Sequence, residues 1–455
     1  MASTFITKAN PTANTDSRKK GTISFWFKRS GTGATQYLYT ESSDGNNAGV
    51  IYLSGSDTLN IISYDGGSSQ TQLSTNRKFR DCTGWIHFHF AYDSTLGTAD
   101  DRQKLWINGE QITSFSSRTN PSQDGNFWFG VGGTNYPIRI GRNHSGDYFN
   151  GYMSHFHRVD SQALAPTIFG STDTTTGQWK IATSPSITYT GTSDFNFFIL
   201  KDSNSVTDQS GEGNDLTIGG GTLTSTQDNP SNVFATLNPE ECGMNSGATP
   251  TNGNTTFGTS AAQWHTEAST FGITRGKYYW ETQMRDAGGD RRMRWGMVNE
   301  KYLGYTGNNK VLFGSDKNAI GWKTNGESAT DHGYGVGSSE TTLSGDINED
   351  NGCYGFAIDY DNQLMWGSYN GTWLNSGNPS AGTGGVDVSS YYNIGDPLFP
   401  CWTTHNSYID FNAGNGVFAS TALTGTTYND ADGNGIFKYS VPTNFRALCS
   451  KGINQ

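Results

Sequence analysis

Histidine offers the first chemistry in this chain of 455 residues. His87/His89 and His155/His157 are two i, i+2 pairs, and side chains at that spacing share one face of a strand. Two imidazoles on one face could seed a transition-metal site. A third ligand and an orienting shell are not in the pattern, so the pairs read as the polar faces of strands whose other faces are aromatic. Carboxylates come next, because a retaining glycosidase needs two of them about 5 to 5.5 Å apart. The nearest clusters are Asp346/Glu349/Asp350, in a Gly/Asn-rich turn, and Asp359/Asp361, at a strand end. Both read as turn chemistry. Neither a G-x-S-x-G elbow nor a G-x-x-x-x-G-K-[ST] phosphate loop occurs, and no catalytic residue is assigned.

Asn429-Asp-Ala-Asp-Gly-Asn-Gly places oxygen donors on Asp430, Asp432 and Asn434 around a glycine turn, like the first half of a calcium loop. The bidentate glutamate of an EF-hand does not follow, so the segment reads as an Asx-rich turn, with calcium the one cofactor to test. Aromatic rings beside Gly-rich turns are the other lead: Trp128, Tyr148, Trp373 and Trp402, with His405 close by, could stack on sugars or anchor a protein contact. Five cysteines, Cys82, Cys242, Cys353, Cys401 and Cys449, are widely spaced without a C-x-x-C pair. They form neither a zinc site nor a disulfide framework and read as packed core residues.

The elements that must position these groups are strands. Aromatics make up 13% of the chain and there are 59 glycines, a composition suited to ring-filled sheets and tight turns and poor for helices. Period-2 runs recur, as in Thr22–Lys28, Trp85–Tyr92, Lys104–Ile107, Tyr278–Thr282, Tyr354–Asp359 and Tyr408–Phe411. Hairpin signals separate them: Asp44-Gly45, Asp65-Gly66, Asn108-Gly109, Asn150-Gly151, Asn325-Gly326, Asn351-Gly352 and Asn370-Gly371. One helical turn is expected at Ser161–Ala165, stopped by Pro166. Length and pattern predict an all-β protein of two antiparallel β-sandwich domains, 1–170 and 248–455. The Thr/Ser/Asn-rich stretch 171–247 is expected to be an extended connector packing along the sandwiches. A net charge of −11 repels polyanions at long range, which argues against nucleic acid and anionic membranes as partners. No run of about 18 apolar residues and no signal-peptide pattern appears, so synthesis in the cytoplasm is expected.

Gly21–Phe27, Gly84–His87, Leu105–Glu110, Ile138–Arg142 and Phe149–Leu164, in that order, resemble the laminin G-like and pentraxin-like lectin superfamily. The final strand departs from that pattern, carrying His155 and His157 where such domains usually show an acidic residue. Gly276–Glu281, Arg294–Val298, Ala319–Lys323, Cys353–Asn362, Met365–Trp373 and Pro397–Trp402 resemble a SPRY domain. That resemblance implies a bent, concanavalin A-like sandwich that binds proteins or peptides through its loops. Asp208–Asp215, Asp228–Pro239 and Phe437–Cys449 resemble phrases of phage tail-fibre-like proteins that pair two such sandwiches.

The resemblances imply a non-enzymatic structural protein of a bacteriophage virion, a fibre-like or decoration subunit, assembled in the host cytoplasm. Its expected partners are neighbouring virion proteins, further copies of itself and host-surface glycan. A polysaccharide depolymerase and a purely architectural capsid cement protein are the alternatives.

Overall fold

The computed structural model describes residues 3–201, 205–240, 248–286, 292–300, 319–324, 332–337, 339–347 and 349–453. Antiparallel strands dominate it, and the chain divides into two compact units, Met1–Ser225 and Thr226–Gln455. Among the described residues no helix is long and apolar enough to cross a membrane.

The strands of the first unit are β1 (Phe5–Lys8), β2 (Lys20–Arg29), β3 (Gln36–Ser42), β4 (Ala48–Leu53), β5 (Thr58–Asp65), β6 (Ser68–Lys78), β7 (Ile86–Asp93), β8 (Gln103–Ile107), β9 (Glu110–Ile112), β10 (Phe115–Thr119), β11 (Ile138–Ile140), β12 (Gly151–Asp160), β13 (Gly170–Thr172), β14 (Trp179–Ile181), β15 (Phe197–Ile199) and β16 (Thr217–Gly220). They form an eight-stranded sheet, β10-β6-β5-β4-β3-β11-β1-β16, a six-stranded sheet, β15-β12-β2-β7-β8-β9, and a separate β13-β14 hairpin. Alternation decides the core. Ile23, Phe25 and Phe27 turn inward from β2, and Phe25 stacks on Phe88 and on Phe156, each at 4.7 Å between ring centroids. Tyr39 of the other sheet meets Phe156 at 5.5 Å. Burying each such side chain stabilises by roughly 1.5–3 kcal/mol. Asn108-Gly109 joins β8 to β9 with φ of 50° and 76°, the left-handed pair that a type I′ hairpin requires.

An ion pair spans the core. Arg158 of β12 lies 3.4 Å from Glu41 of β3. Glu41 also accepts the Tyr39 hydroxyl at 2.7 Å and the Gly130 amide. Arg158 donates to the Tyr92 hydroxyl at 2.9 Å. Burial lifts the Glu41 carboxyl above its ordinary range while Arg158 pulls it down. Arg158 faces inward because β12 is bulged: its register with β2 slips between Ser154 and His157, where His155 takes φ 49°. The extra residue reverses the faces that later side chains take.

The described part of the stretch 171–240 packs on the sandwiches as extended segments. Its apolar island supplies β15, which pairs with β12 and buries Phe197 and Ile199, and β16 pairs with β1. Further on, Phe234, Ala235 and Leu237 enter the cores of the second unit. The helical turn expected at Ser161–Ala165 is absent. That segment runs extended, and Pro166 instead opens a 3₁₀ turn, Pro166–Ile168, where its missing N–H costs nothing.

The second unit contains β17 (Thr256–Ala268), β18 (Lys277–Asp286), β19 (Arg292–Asn299), β20 (Ala319–Lys323), β21 (His332–Val336), β22 (Ser339–Leu343), β23 (Cys353–Asp359), β24 (Leu364–Tyr369), β25 (Thr372–Trp373), β26 (Val386–Asp387), β27 (Leu398–Asn412), β28 (Val417–Phe418), β29 (Thr421–Ala422) and β30 (Arg446–Ala447). One continuous path, β22-β21-β20-β19-β27-β18-β23-β24-β25, carries most of them. β27 pairs with β19 up to His405 and with β18 from Ser407, and Asn406, at φ 50°, marks the switch. The two halves close face to face. The Trp295 indole of β19 donates to the Gly355 carbonyl of β23 at 3.2 Å, and Gly367 of β24 leaves room for the Trp322 ring of β20. The ends of this unit are laced together: the Ala235 amide donates to Leu448 at 3.0 Å and the Ser450 amide to Val233 at 2.8 Å. Glu281, fully buried on β18, clamps the C-terminal segment by accepting the amides of Lys438 (2.8 Å) and Tyr439 (2.7 Å) and the Tyr279 hydroxyl (3.1 Å). Asn325-Gly326 and Cys242 lie outside the described residues; the other four cysteines are buried.

Two outcomes follow. Arg158→Met leaves Glu41 buried without its counter-charge and is expected to cost about 3–5 kcal/mol in urea unfolding. The double variant with Glu41→Gln should recover part of that loss, and an additive double variant would contradict the coupling. Burial also pushes Glu281 up to about 7 from 4.5. Between those values the fold holds a proton that the unfolded chain has released, so this group's contribution to stability falls as pH rises through that window. Relative to Glu281→Gln, the parent should lose stability between about pH 5 and 7.5, read from paired denaturant midpoints.

Candidate binding site

The outer face of the eight-stranded sheet carries three tyrosines on adjacent strands, Tyr37 on β3, Tyr52 on β4 and Tyr64 on β5. Each is half-buried, over a small apolar patch of Ala48, Val50 and Ile62. Tyr37 and Tyr52 are cross-strand partners and stack at 4.9 Å with 21° between the rings. Burial, then the neighbouring Tyr64 and Tyr37, push the Tyr52 hydroxyl up to about 12. Burial raises Tyr37 too, opposed by a hydrogen bond with Asn143, with Tyr64 and Asp147 adding to the rise. The Asn143 side chain binds its own loop. Its Oδ1 accepts the amides of Ser145 (2.8 Å), Gly146 (2.6 Å) and Asp147 (3.1 Å), and its Nδ2 donates to Asp147 at 2.8 Å. Ring faces standing on strands, rimmed by an amide and a carboxylate, make a platform for a flat, hydroxyl-bearing ligand.

The sequence candidates fall differently. Trp402 is fully buried, 4.4 Å from Phe411, its indole donating to Thr282 at 2.8 Å. It is a core residue, because Trp402 lies on the inward face of β27. Trp128 is also buried, between Arg18 (5.1 Å) and Tyr136 (5.6 Å). His405 is buried, with its ring 5.1 Å from Trp264. Trp373 is partly covered by Tyr279. Tyr148 is half-buried against Arg142 at 5.1 Å; of the five, it alone adjoins the loop that meets Tyr37. The tyrosine trio itself was missed, although Val50-Ile-Tyr52 and Ile62-Ser-Tyr64 alternate such that the ring shares a face with the residue two before it.

The supposed calcium loop is spent internally. Asp430 accepts the amides of Asp432 (3.0 Å), Asn434 (2.7 Å) and Ala447 (2.9 Å), and Asp432 pairs with Arg446 at 2.8 Å. The carboxylates therefore tie the turn to β30 instead of converging on a cation. The clustered acids likewise hold loops: Asp350 accepts the Asp286 amide at 2.7 Å, Asp361 the Gly276 amide at 3.0 Å, and Asp359 pairs with Lys277 at 2.7 Å. Among the described residues no three His, Cys, Asp or Glu side chains are grouped to hold a metal.

The histidine pairs do come together. β12, β2 and β7 are neighbours, so His87, His89 and His157 share the outer face of the six-stranded sheet with Ser24 and Trp26. That face is not wet, as the alternation suggested. The segment 161–182 covers it, and all four histidines are buried.

Residues 6–168 match the family described as the concanavalin A-like lectin/glucanases superfamily. No curated protein sequence matches the chain. Among solved structures, a native heptameric SAP-like pentraxin from Limulus polyphemus aligns at 15% identity and TM-score 0.26, over 36% of this chain and 71% of its own. The TRIM65 PSpry domain aligns at 11% and 0.29, over 39% and 89%. The SPRY domain of human HERC1 aligns at 14% and 0.27, over 38% and 96%. The family match over residues 6–168 gives the first unit a concanavalin A-like fold.

Because Asp430 serves backbone amides, millimolar calcium or EDTA should leave the melting temperature unchanged, while Asp430→Ala should cost about 1–3 kcal/mol in either. A calcium-dependent melting shift that Asp430→Ala abolishes would restore the cation reading.

Proposed function

We propose that the chain is a non-catalytic, lectin-like binding protein whose first unit takes surface carbohydrate on the Tyr37, Tyr52 and Tyr64 face, and that it is displayed on a bacteriophage particle as a fibre-like or decoration subunit. The packing of three half-buried tyrosines on one apolar patch, with Asn143 and Asp147 beside Tyr37, carries the reading. Rings of this kind stack on the apolar faces of sugars, and the neighbouring Asp147 carboxylate accepts from sugar hydroxyls. The clustered acids support a binding role over hydrolysis, since Asp350, Asp359 and Asp361 are engaged with the chain's own amides and lysine. The virion assignment rests on the phage-like phrases Asp228–Pro239 and Phe437–Cys449, which pack on each other as the laced ends of the second unit. Single contacts of this size are weak, and display of many copies raises avidity by about 10² to 10⁴. Neighbouring virion proteins and further copies of the chain are the partners such display requires.

The test is an array of purified bacterial envelope polysaccharides probed with the chain on beads. Binding is expected, with Tyr52→Ala lowering affinity about tenfold, within the range that one stacked ring contributes, and without new reducing ends. Release of reducing sugar would overturn the non-catalytic reading. Binding indifferent to Tyr37→Ala and Tyr52→Ala would overturn the site, and absence of the chain from purified particles would overturn the virion assignment.

A further inference from the structure

The cover over the histidine face is built as a latch. After β12 the chain crosses the six-stranded sheet as residues 161–182, including the Pro166–Ile168 turn and the β13-β14 hairpin. Trp179 is its bolt: the indole donates to His87 Nδ1 at 2.9 Å, and a side chain at Gly109 or Gly170 would collide with its ring. With Nδ1 accepting, the proton of His87 resides on Nε2, which donates to Ser24 Oγ at 2.9 Å. His89 Nε2 donates to the Leu164 carbonyl of the cover at 3.0 Å. Phe169, also of the cover, packs on His89 at 5.2 Å and on His157 at 5.1 Å.

The Trp179 contact needs a neutral His87, whose Nδ1 must accept. A proton on His87 Nδ1 sets N–H against the Trp179 N–H. His89 Nδ1 and His157 Nδ1 are buried with no acceptor beside them, so a proton there stays unsatisfied. No carboxylate compensates. The charged groups that alternation places on this face are Lys20, paired with Asp93, Lys28, and Lys104, paired with Asp101, and on the cover Lys180 is paired with Asp173. The neighbours on β12 and β15 are Ser154, His155 and Phe198. Burial, with repulsion between the imidazoles, holds His87 and His157 well below the ordinary histidine value, and burial brings His89 down to about 4.

We propose that residues 161–182 form an acid-released cover: neutral His87, His89 and His157 fasten it to the six-stranded sheet, and their protonation frees it, opening a second face lined by Trp26, Trp106 and Phe198. The sign follows from linkage. The uncovered face takes up protons near the ordinary histidine value and the covered face does not, so closure is complete above about pH 6.5 and weakens as pH falls toward 4.

Hydrogen exchange of the full chain, corrected for intrinsic rates, decides it. Between pH 7.5 and 4.5, amides of the β13-β14 hairpin should lose protection by about tenfold or more while β3 to β6 keep theirs. Retained hairpin protection at pH 4.5 would overturn the proposal, as would equal loss throughout the unit, which would mean global unfolding. Trp179→Phe, which removes the donor and spares the imidazoles, should loosen the hairpin at pH 7.5, and unchanged protection there would also overturn it.

Discussion

Glu41 and Arg158 lose their hydration together between the sheets of the first unit, and ions so placed are tolerable only when each meets the other with its remaining valences satisfied. Tyr39, Gly130 and Tyr92 complete the set. Arg158 can point inward only because the bulge at His155 reverses the parity of β12. The same reversal turns His157 outward, opposite Ser24 of β2 and one strand from His87 and His89 on β7. One inward ion pair therefore fixes the register that assembles the outward histidine face, and through it the seat of the cover.

A related device recurs in the second unit. Tyr279 and Glu281 stand two apart on one strand with the hydroxyl donating to the carboxylate, as Tyr39 and Glu41 do. Here the partners are backbone amides of the C-terminal segment instead of an arginine. Burial raises Glu281 to about 7, and these amides pull against that rise. The acids of this unit mostly sew chain ends and loops to strands: Asp430 holds Ala447, and Asp410 holds Thr256 at 2.6 Å. Sparse glutamate and scattered aspartate are thus explained by tethering.

Strands and hairpins were legible because period-2 alternation and Asn-Gly turns are local. Asn108-Gly109 and Asn370-Gly371 both adopt the doubly left-handed geometry expected. What alternation cannot reveal is whether a face opposite the core is covered. His87 and His89 were placed correctly on one face and wrongly in water, since the covering segment is polar and its anchor, Trp179, sits in a run without pattern. Trp402 was misplaced for the converse reason: proximity to turns suggested exposure, while in a long bent strand such as β27 the inward face continues past the turn. The tyrosine trio needs three strands to be neighbours, a fact no single segment carries.

Both outer faces of the first unit bear aromatic rings, yet they are treated in opposite ways. Solvation alone would favour covering Tyr37, Tyr52 and Tyr64 with their apolar patch and leaving His87, His89 and Ser24 wet, since a buried imidazole with an unpaired nitrogen costs about 1–3 kcal/mol. The chain does the reverse, and it also orders the cover at a backbone cost of roughly 1–2 kcal/mol per residue. An open tyrosine face is consistent with a ligand that supplies the missing contact. A closed histidine face is consistent with a surface needed only under conditions that charge it, and strands beneath both keep their side chains preorganised whichever way the cover lies.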